Sequence, residues 1–395
     1  MTISATSPSQ SSPDWLLNQL SHRDIFFASA QHQLRSHNHA EDLHAYAPIT
    51  SASVNALFAQ ARSRGQTTPT LFGLIPFDTQ LPASLTLPLH VQHTLSPNDA
   101  LTIGANSAQV SPSVLSKTPV PAPEVYGQMV ERALELFAQG DVKKIVLARA
   151  MDIALDGAID PEHIMRDLLT RNRHGYTFNL PIWAEDAQSQ ASMMGASPEL
   201  LVRREGEMVY INPLAGSIPR HSDPVIDQQR HEGLAASEKD LREHGYVVSD
   251  IARILAEHCT ELDVPETPSV IGTDALWHLS TFITARLKSP QMSALDLGLA
   301  LHPTPAMCGY PTAQAFASIQ ALEPFAREYF AGLVGWQKEN GDGEWALTIR
   351  CGRYDGQRSF RLYAGAGTVA GSDPVSEIRE TETKMATFLR AITKS

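Results

Sequence analysis

The sequence predicts an α+β fold, with large, mostly antiparallel β-sheets and helices packed outside them. Three observations carry that expectation. Strand-like segments come in runs with helices inserted between them, not in the regular βαβ alternation of a parallel sheet. The stretch "FAGLVGWQKENGDGEWALTIRCGRYDGQRSFRLYAGAG" has aromatic and β-branched runs broken by Gly/Asn/Asp turns at 340–343 and 355–356, the pattern of an antiparallel meander. A chain of 395 residues, 43% hydrophobic and 19% charged, also has ample material for a core.

Taken in order, residues 1–120 are heterogeneous and are expected to join the same fold as residues 121–395, where the candidate chemistry lies. The opening "MTISATSPSQSSPDW" is Ser/Thr-rich, has no basic or apolar region of a signal peptide, and predicts a disordered start. "WLLNQLSHRDIFFASAQHQLRS" reads as amphipathic, "TPTLFGLIPF" as a buried strand, and "SPSVLSKTPVPAPEVYG" as a Ser/Pro-rich connector. After Pro123, "EVYGQMVERALELFAQG" spaces its apolar residues as a helix and closes on Gly140. "KKIVLARAMDI" is a strand and "PEHIMRDLLTRN" a helix; "YTFNLPIWA", "SMMGASPELLVRREG" and "EMVYINPLAG" are strands or strand ends. "HEGLAASEKDLREHGYVVSDIARILAEHC" reads as one long helix, with shorter ones in "ALDLGLALHP" and "PTAQAFASIQAL". Asp373 as N-cap and Pro374 at the first helical position open a last helix.

A formal charge of −12 argues against nucleic acid or an anionic membrane as partner, because either needs a basic footprint. No apolar run approaches the ~18 residues of a membrane span. Cys259, Cys308 and Cys351 fit neither a disulfide framework nor a zinc pattern, and suit a reducing cytoplasm.

Two helical faces are acidic. Glu377, Glu380 and Lys384 share one, within about 60° of arc. Asp240 and Glu243 flank the apolar stripe Leu241, Val248, Ile251 and Leu255 on the other. Carboxylates at the edge of an apolar stripe are partly desolvated and need a cation. Two such helices facing each other would offer oxygen ligands suited to Mg²⁺, completed by a substrate anion; two ordinary amphipathic helices are the alternative. Lys144 shares a small-residue strand face with Val146, Ala148 and Ala150, where a desolvated lysine could serve as general base. A strand-edge lysine in water is the commoner arrangement. Glu199, after Pro198 in an apolar setting, would be kept protonated by burial and could serve as an acid, unless it is half-exposed. Arg350, read inside the strand "WALTIRCG", wants a planar anion: a substrate carboxylate or a buried acid. Gly365 and Gly367 either let the backbone approach a carboxylate or sit at a hairpin turn. His278 is flanked by apolar residues, as a core histidine commonly is.

The order of the motifs narrows these alternatives. "KIVLARA", "GASPELLVRREG", "PLAGSIPR", "SEKDLREH", "LWHLSTFITARL", "LHPTPAMCGYPT", "LEPFAREYFAGLVGW", "GEWALTIRC", "LYAGAGTV" and "SEIRETETK" together resemble the chorismate-utilising enzymes, which have the anthranilate synthase component I-like fold. The resemblance runs from about residue 121 to the end, and is strongest to isochorismate synthases of the siderophore (2,3-dihydroxybenzoate) type. It implies that Lys144 activates water for attack at C2 of chorismate and that Glu199 protonates the departing C4 hydroxyl. It implies Glu243 and Glu380 as Mg²⁺ ligands, with Asp240 and Glu377 supporting them through water. Arg350, Gly365, Gly367 and Lys384 fall at positions around the substrate carboxylates, and Ser217 and His278 at the ring site.

The neighbouring subfamilies differ at single positions. Anthranilate synthases lack the lysine seen here at 144, and aminodeoxychorismate synthases carry a nucleophilic lysine where this chain has Ala215. Neither ammonia as nucleophile nor a glutaminase partner is therefore expected. Salicylate synthases share Lys144, Glu199 and the acidic helices and add pyruvate elimination, so they remain an alternative. So does a non-catalytic chorismate-binding protein, although binding alone needs neither base nor acid. The expected protein is a cytoplasmic, monomeric isomerase acting on chorismate with Mg²⁺.

Overall fold

The computed structural model describes residues 17–38, 40–94, 111–183 and 190–393; the disordered start expected at residues 1–15 lies outside the described residues. Antiparallel pairing builds three sheets. Across the ten-stranded first sheet run β18 (Gly309–Tyr310), β8 (Lys144–Leu155), β22 (Ser359–Val369), β21 (Cys351–Tyr354) and β10 (Ser192–Ser197). It continues through β9 (Tyr176–Pro181), β1 (Ile25–Ala28), β2 (Gln33–Ser36) and β6 (Gln92–Thr94), while β7 (Val114–Val120) also pairs with β8. The nine-stranded second sheet begins with β14 (Cys259–Asp263), β17 (Ile283–Leu287), β12 (Met208–Asn212), β11 (Leu200–Glu205) and β20 (Gly343–Leu347). It ends with β19 (Leu333–Lys338), β4 (Thr70–Ile75), β5 (Ala83–Leu87) and β3 (Leu43–Ala47). A small third sheet holds β13 (Leu214–Pro219), β16 (Leu276–Ser280) and β15 (Ser269–Gly272).

The two large sheets face each other, because their strands are apolar on both sides. In β4, Phe72 and Leu74 point into the core between the sheets, and Leu71 and Ile75 into the cluster behind it. That is the period-two alternation of a strand buried on both faces. Phe27, Phe178 and Met193 meet Phe72, Val334 and Trp336 across the inner core. Helices α1 (Ser51–Ser63), α5 (Glu238–His258) and α6 (Ala294–Leu301) cover the second sheet. Helices α3 (Pro161–Arg171) and α8 (Pro374–Ile392) cover the first. Helices α2 (Pro123–Gln139) and α7 (Thr312–Leu322) join the inner core, and α4 (Pro224–Ala235) packs on the small sheet. Among the described residues, no helix is long and apolar enough to cross a membrane.

Three expectations are corrected. In the amphipathic-looking segment, residues 17–36 form turns and then the β1–β2 hairpin, because the apolar residues there are taken up by sheet pairing. The Ser/Pro-rich "connector" holds the strand β7; Pro119 is tolerated there because this strand pairs on one side only, and Pro121 follows its end. The long helix at 231–259 is two. Ser237 starts α5, its Oγ accepting the N–H of Asp240 at 3.3 Å and donating to Asp240 Oδ2 at 2.5 Å. That cap fixes the first turn, on which Asp240 stands. Ser237→Ala should lower stability by about 1 kcal/mol, read as a shift in the urea midpoint with the slope unchanged.

Candidate active site

Two links between the large sheets lie side by side. The chain leaves β10 through Pro198 and Glu199 to enter β11, and later leaves β20 through Thr348, Ile349 and Arg350 to enter β21. The Ala196 N–H donates to the Arg350 carbonyl and the Leu347 N–H to the Glu199 carbonyl, both at 3.2 Å. Each link therefore holds the other, and an acid and a guanidinium reach the same place. Arg350 is not in a strand, as the sequence suggested. It occupies the bend with φ +51, a left-handed conformation that costs a non-glycine residue roughly 1–3 kcal/mol. The next strand begins only at Cys351, which frees the Arg350 side chain for the cavity.

That cavity has about 990 Å³ of open space, and all twelve residues selected from the sequence line it. Lys144 opens β8 with its side chain 1% exposed, and its Nζ meets Glu243 Oε1 from α5 at 2.8 Å. From α8, Lys384 Nζ meets Glu380 Oε1 at 2.6 Å and donates to the Gly365 carbonyl at 2.8 Å. Gly365 and Gly367 lie in the middle of β22, not at a turn. A Cβ on Gly367 would stand 2.7 Å from Glu243 Oε1 and 3.3 Å from Lys144 Cε, so the glycine makes room for that ion pair. On the small sheet, Ser217 Oγ lies 2.7 Å from His278 Nδ1, leaving the buried His278 Nε2 without a partner.

The acids are tuned apart. Burial pushes Glu199 up to about 7, against the Leu214 N–H at its Oε1 (3.1 Å) and the cations Lys144, Arg350 and Lys384. Burial, then Glu380, pushes Glu377 up to about 7 as well. Asp240 is raised by burial and by Glu243 and Glu380, with Ser237 opposing. For Glu380, burial acts upwards but Lys384, Arg350 and Lys239 outweigh it, so its carboxyl is held below the usual range. Burial brings Arg350 down to about 10, and it stays a cation near neutral pH. Burial, Arg350 and Lys384 keep His278 neutral.

The four carboxylates fit a hard divalent cation by donor chemistry, and the burial and then the mutual repulsion that raise Asp240 and Glu377 mark where positive charge is wanted. Among the described residues, no three acidic, histidine or cysteine side chains are preassembled as a closed cage. Mg²⁺ keeps several waters and takes one or two carboxylates together with a substrate anion. Sequence reasoning had not selected Lys239, Arg327, Phe330, Ile349 or Tyr363, which also line the cavity. Lys239 precedes a selected aspartate, and Arg327 lies in a motif that carried the resemblance; the three apolar residues gave no signal beyond their hydrophobicity.

A family model described as "Chorismate binding enzyme" matches residues 89–393. The chain belongs to the chorismate-binding enzyme family. It is 43% identical to the isochorismate synthase DhbC of Bacillus subtilis over 343 residues, covering 87% of this chain and 85% of that one. It is 39% identical over 375 residues to the vibriobactin-specific isochorismate synthase of Vibrio cholerae, covering 94% and 92%. Among solved structures, a putative 2,3-dihydroxybenzoate-specific isochorismate synthase, DhbC, from Bacillus anthracis superposes with a TM-score of 0.88 at 40% identity, covering 96% of this chain and 99% of that one. Anthranilate synthase component I from Streptococcus pneumoniae, at 20% identity and a TM-score of 0.73, shares the fold. The α+β architecture is thus that of the chorismate-binding enzymes.

Two consequences follow, one read in stability and one in turnover. Between pH about 4.5 and 7 the folded chain keeps a proton on Glu199 that the unfolded chain has released, so stability falls as pH rises through that window. Glu199→Gln keeps an acceptor for Leu214 and removes the cost; it should raise the melting temperature at about pH 8, by up to about 3 kcal/mol of stability, and add nothing at about pH 4. Gly367→Ala should fold normally, because only side-chain ends must move, yet lose turnover as the Lys144–Glu243 pair is displaced.

Proposed function

We propose that the protein is an isochorismate synthase that converts chorismate to isochorismate, water adding at C2 as the C4 hydroxyl departs. The observation that carries this reading is a pair of proton-handling groups in one cavity: a buried lysine, and a buried carboxyl that burial holds protonated up to about pH 7. Lys144 accepts the proton of the attacking water, the ring double bonds shift, and Glu199 donates the proton with which the C4 hydroxyl leaves as water. One water enters and one leaves, so the net reaction is an isomerisation and needs no redox cofactor. Glu199 can donate a proton near neutral pH because burial, not its residue type, sets its proton affinity.

Arg350, Lys384 and the neighbouring Gly365–Gly367 strand bind the carboxylates of the dianionic substrate, supplying the local positive field that a −12 chain otherwise lacks. The unpartnered His278 Nε2, held by Ser217, faces the ring. Glu243 and Glu380 would hold Mg²⁺, with Asp240 and Glu377 reached through its waters. When bound, that ion supplies charge neutralisation for a substrate carboxylate. Ala215 lines the cavity where aminodeoxychorismate synthases carry their nucleophilic lysine, so water is the nucleophile and no glutaminase subunit is required. The product feeds siderophore biosynthesis, a reading supported by the vibriobactin- and 2,3-dihydroxybenzoate-specific relatives. Residues 121–395 carry the chemistry in this account, in a monomer, and three buried free cysteines suit a reducing cytoplasm.

The test is purified protein with chorismate, with and without Mg²⁺, its products resolved by liquid chromatography. Isochorismate that depends on Mg²⁺ and forms without pyruvate is expected. Lys144→Ala and Glu199→Gln should each lower kcat by roughly 10²–10⁴, and Glu380→Gln should weaken Mg²⁺ binding by calorimetry. Salicylate with equimolar pyruvate would instead identify a salicylate synthase, and an inert wild type a binding protein.

A further inference from the structure

We propose that Glu323 and Arg327 act as a side-chain splint, standing in for a missing stretch of strand beside β8 and thereby positioning Lys144; the catalytic half of this statement rests on the reading of Lys144 given above. On one side β8 is paired with β22 along its length. On the other, β18 covers only Lys144 and Ile145, and β7 begins at Ala150. The edge between them would expose buried backbone groups with nothing to bond, which is costly. The Val146 N–H finds the Cys308 carbonyl at 2.8 Å. The other two bonds come from side chains: Arg327 Nη2 donates to the Val146 carbonyl at 2.5 Å, and the Ala148 N–H donates to Glu323 Oε1 at 2.8 Å.

These two side chains are a bidentate pair, Nε to Oε2 at 2.8 Å and Nη2 to Oε1 at 2.5 Å, and are only 4% and 2% exposed. Arg327 Nη1 also donates to the Met307 carbonyl at 3.1 Å, and its guanidinium lies 4.3 Å from the centre of the Phe77 ring. One fork thus binds the strand that starts with Lys144, the end of α7, and the loop whose Ala306 and Met307 line the cavity. A guanidinium has five N–H donors. Four are spent on this scaffold, so Arg327, although it borders the cavity, has at most one left for a substrate. It is a positioning residue.

Removing one partner leaves an uncompensated buried charge and destabilises, whereas replacing both with apolar side chains of similar volume removes that penalty. The experiment therefore compares Glu323→Met, Arg327→Met and the double variant for melting temperature, kcat, KM and amide exchange at Val146 and Ala148. The double variant should melt above either single variant, because no buried charge is left unpaired, yet below the wild type, because the Val146 carbonyl and the Ala148 N–H lose their partners; kcat stays about 100-fold low, KM is unchanged and both amides exchange faster. Recovery of kcat together with stability would reduce the pair to ordinary packing and overturn the proposal. A raised KM with normal kcat would also overturn it, making Arg327 a substrate ligand. Should the double variant not fold, Glu323→Gln decides: it keeps an acceptor for Ala148 and should lose far less kcat than Glu323→Met, and equal losses sink the splint. Amide exchange reads the splint even in protein that turns nothing over, so an inert wild type defeats the functional reading and not this one.

Discussion

Lys144 carries its side-chain nitrogen into a place that water scarcely reaches, its side chain 1% exposed, and much of the site follows from having to partner that nitrogen. A polar group buried that far needs a partner in contact. Glu243 supplies it from α5, a helix that covers the other large sheet, and Gly367 supplies the space by having no Cβ. Across the cavity the same logic repeats with Lys384, Glu380 and the Gly365 carbonyl. Acids and cations thus alternate around one wall, and each pair is stable only while the next keeps its place.

Position, not residue type, separates the carboxylates. Glu199 stands where two sheets exchange chain, with one backbone N–H to its side chain and cations that do not overcome burial. Glu380 has an ammonium on its own helix one turn away, and its proton is lost more readily than usual. The cavity thus holds carboxyl groups raised at Glu199, Glu377 and Asp240 and lowered at Glu380, a spread obtained from the same two residue types by placing them differently.

Local chemistry made much of this legible in the sequence. Asp373–Pro374 is a helix start anywhere, and the spacing of Glu377, Glu380 and Lys384 fixes a shared face. The twelve selected residues meet in one cavity because their motifs, taken in order, were recognisable as a set. What stayed hidden depends on partners far away in the chain. Nothing in "SMMGASPELLVRREG" announces that Ser197 and Leu200 belong to different sheets, so the placing of Glu199 could not be foreseen. The strand β7 looked like a linker because much of it is exposed and only β8 makes it a strand. Ser237 looked like one more helical residue until its hydroxyl was seen to cap Asp240. Arg327 was visible only as part of a motif, because its partners at Val146 and Met307 lie far from it in sequence.

The sheet order also has a bearing on how the protein is made. β1 reaches its neighbour β9 only after the whole of β8 and α3 has been synthesised, and the fully buried β4 has to wait for β19, close to the end of the chain. A ribosome delivers these N-terminal strands first, paired only within local hairpins, β1 with β2 and β4 with β5, and with the other edge open. Such long-range pairing makes folding slow and leaves sticky intermediates. The second partners of β1 and β4 thus arrive long after the strands themselves, so the two large sheets close only when most of the chain has been made.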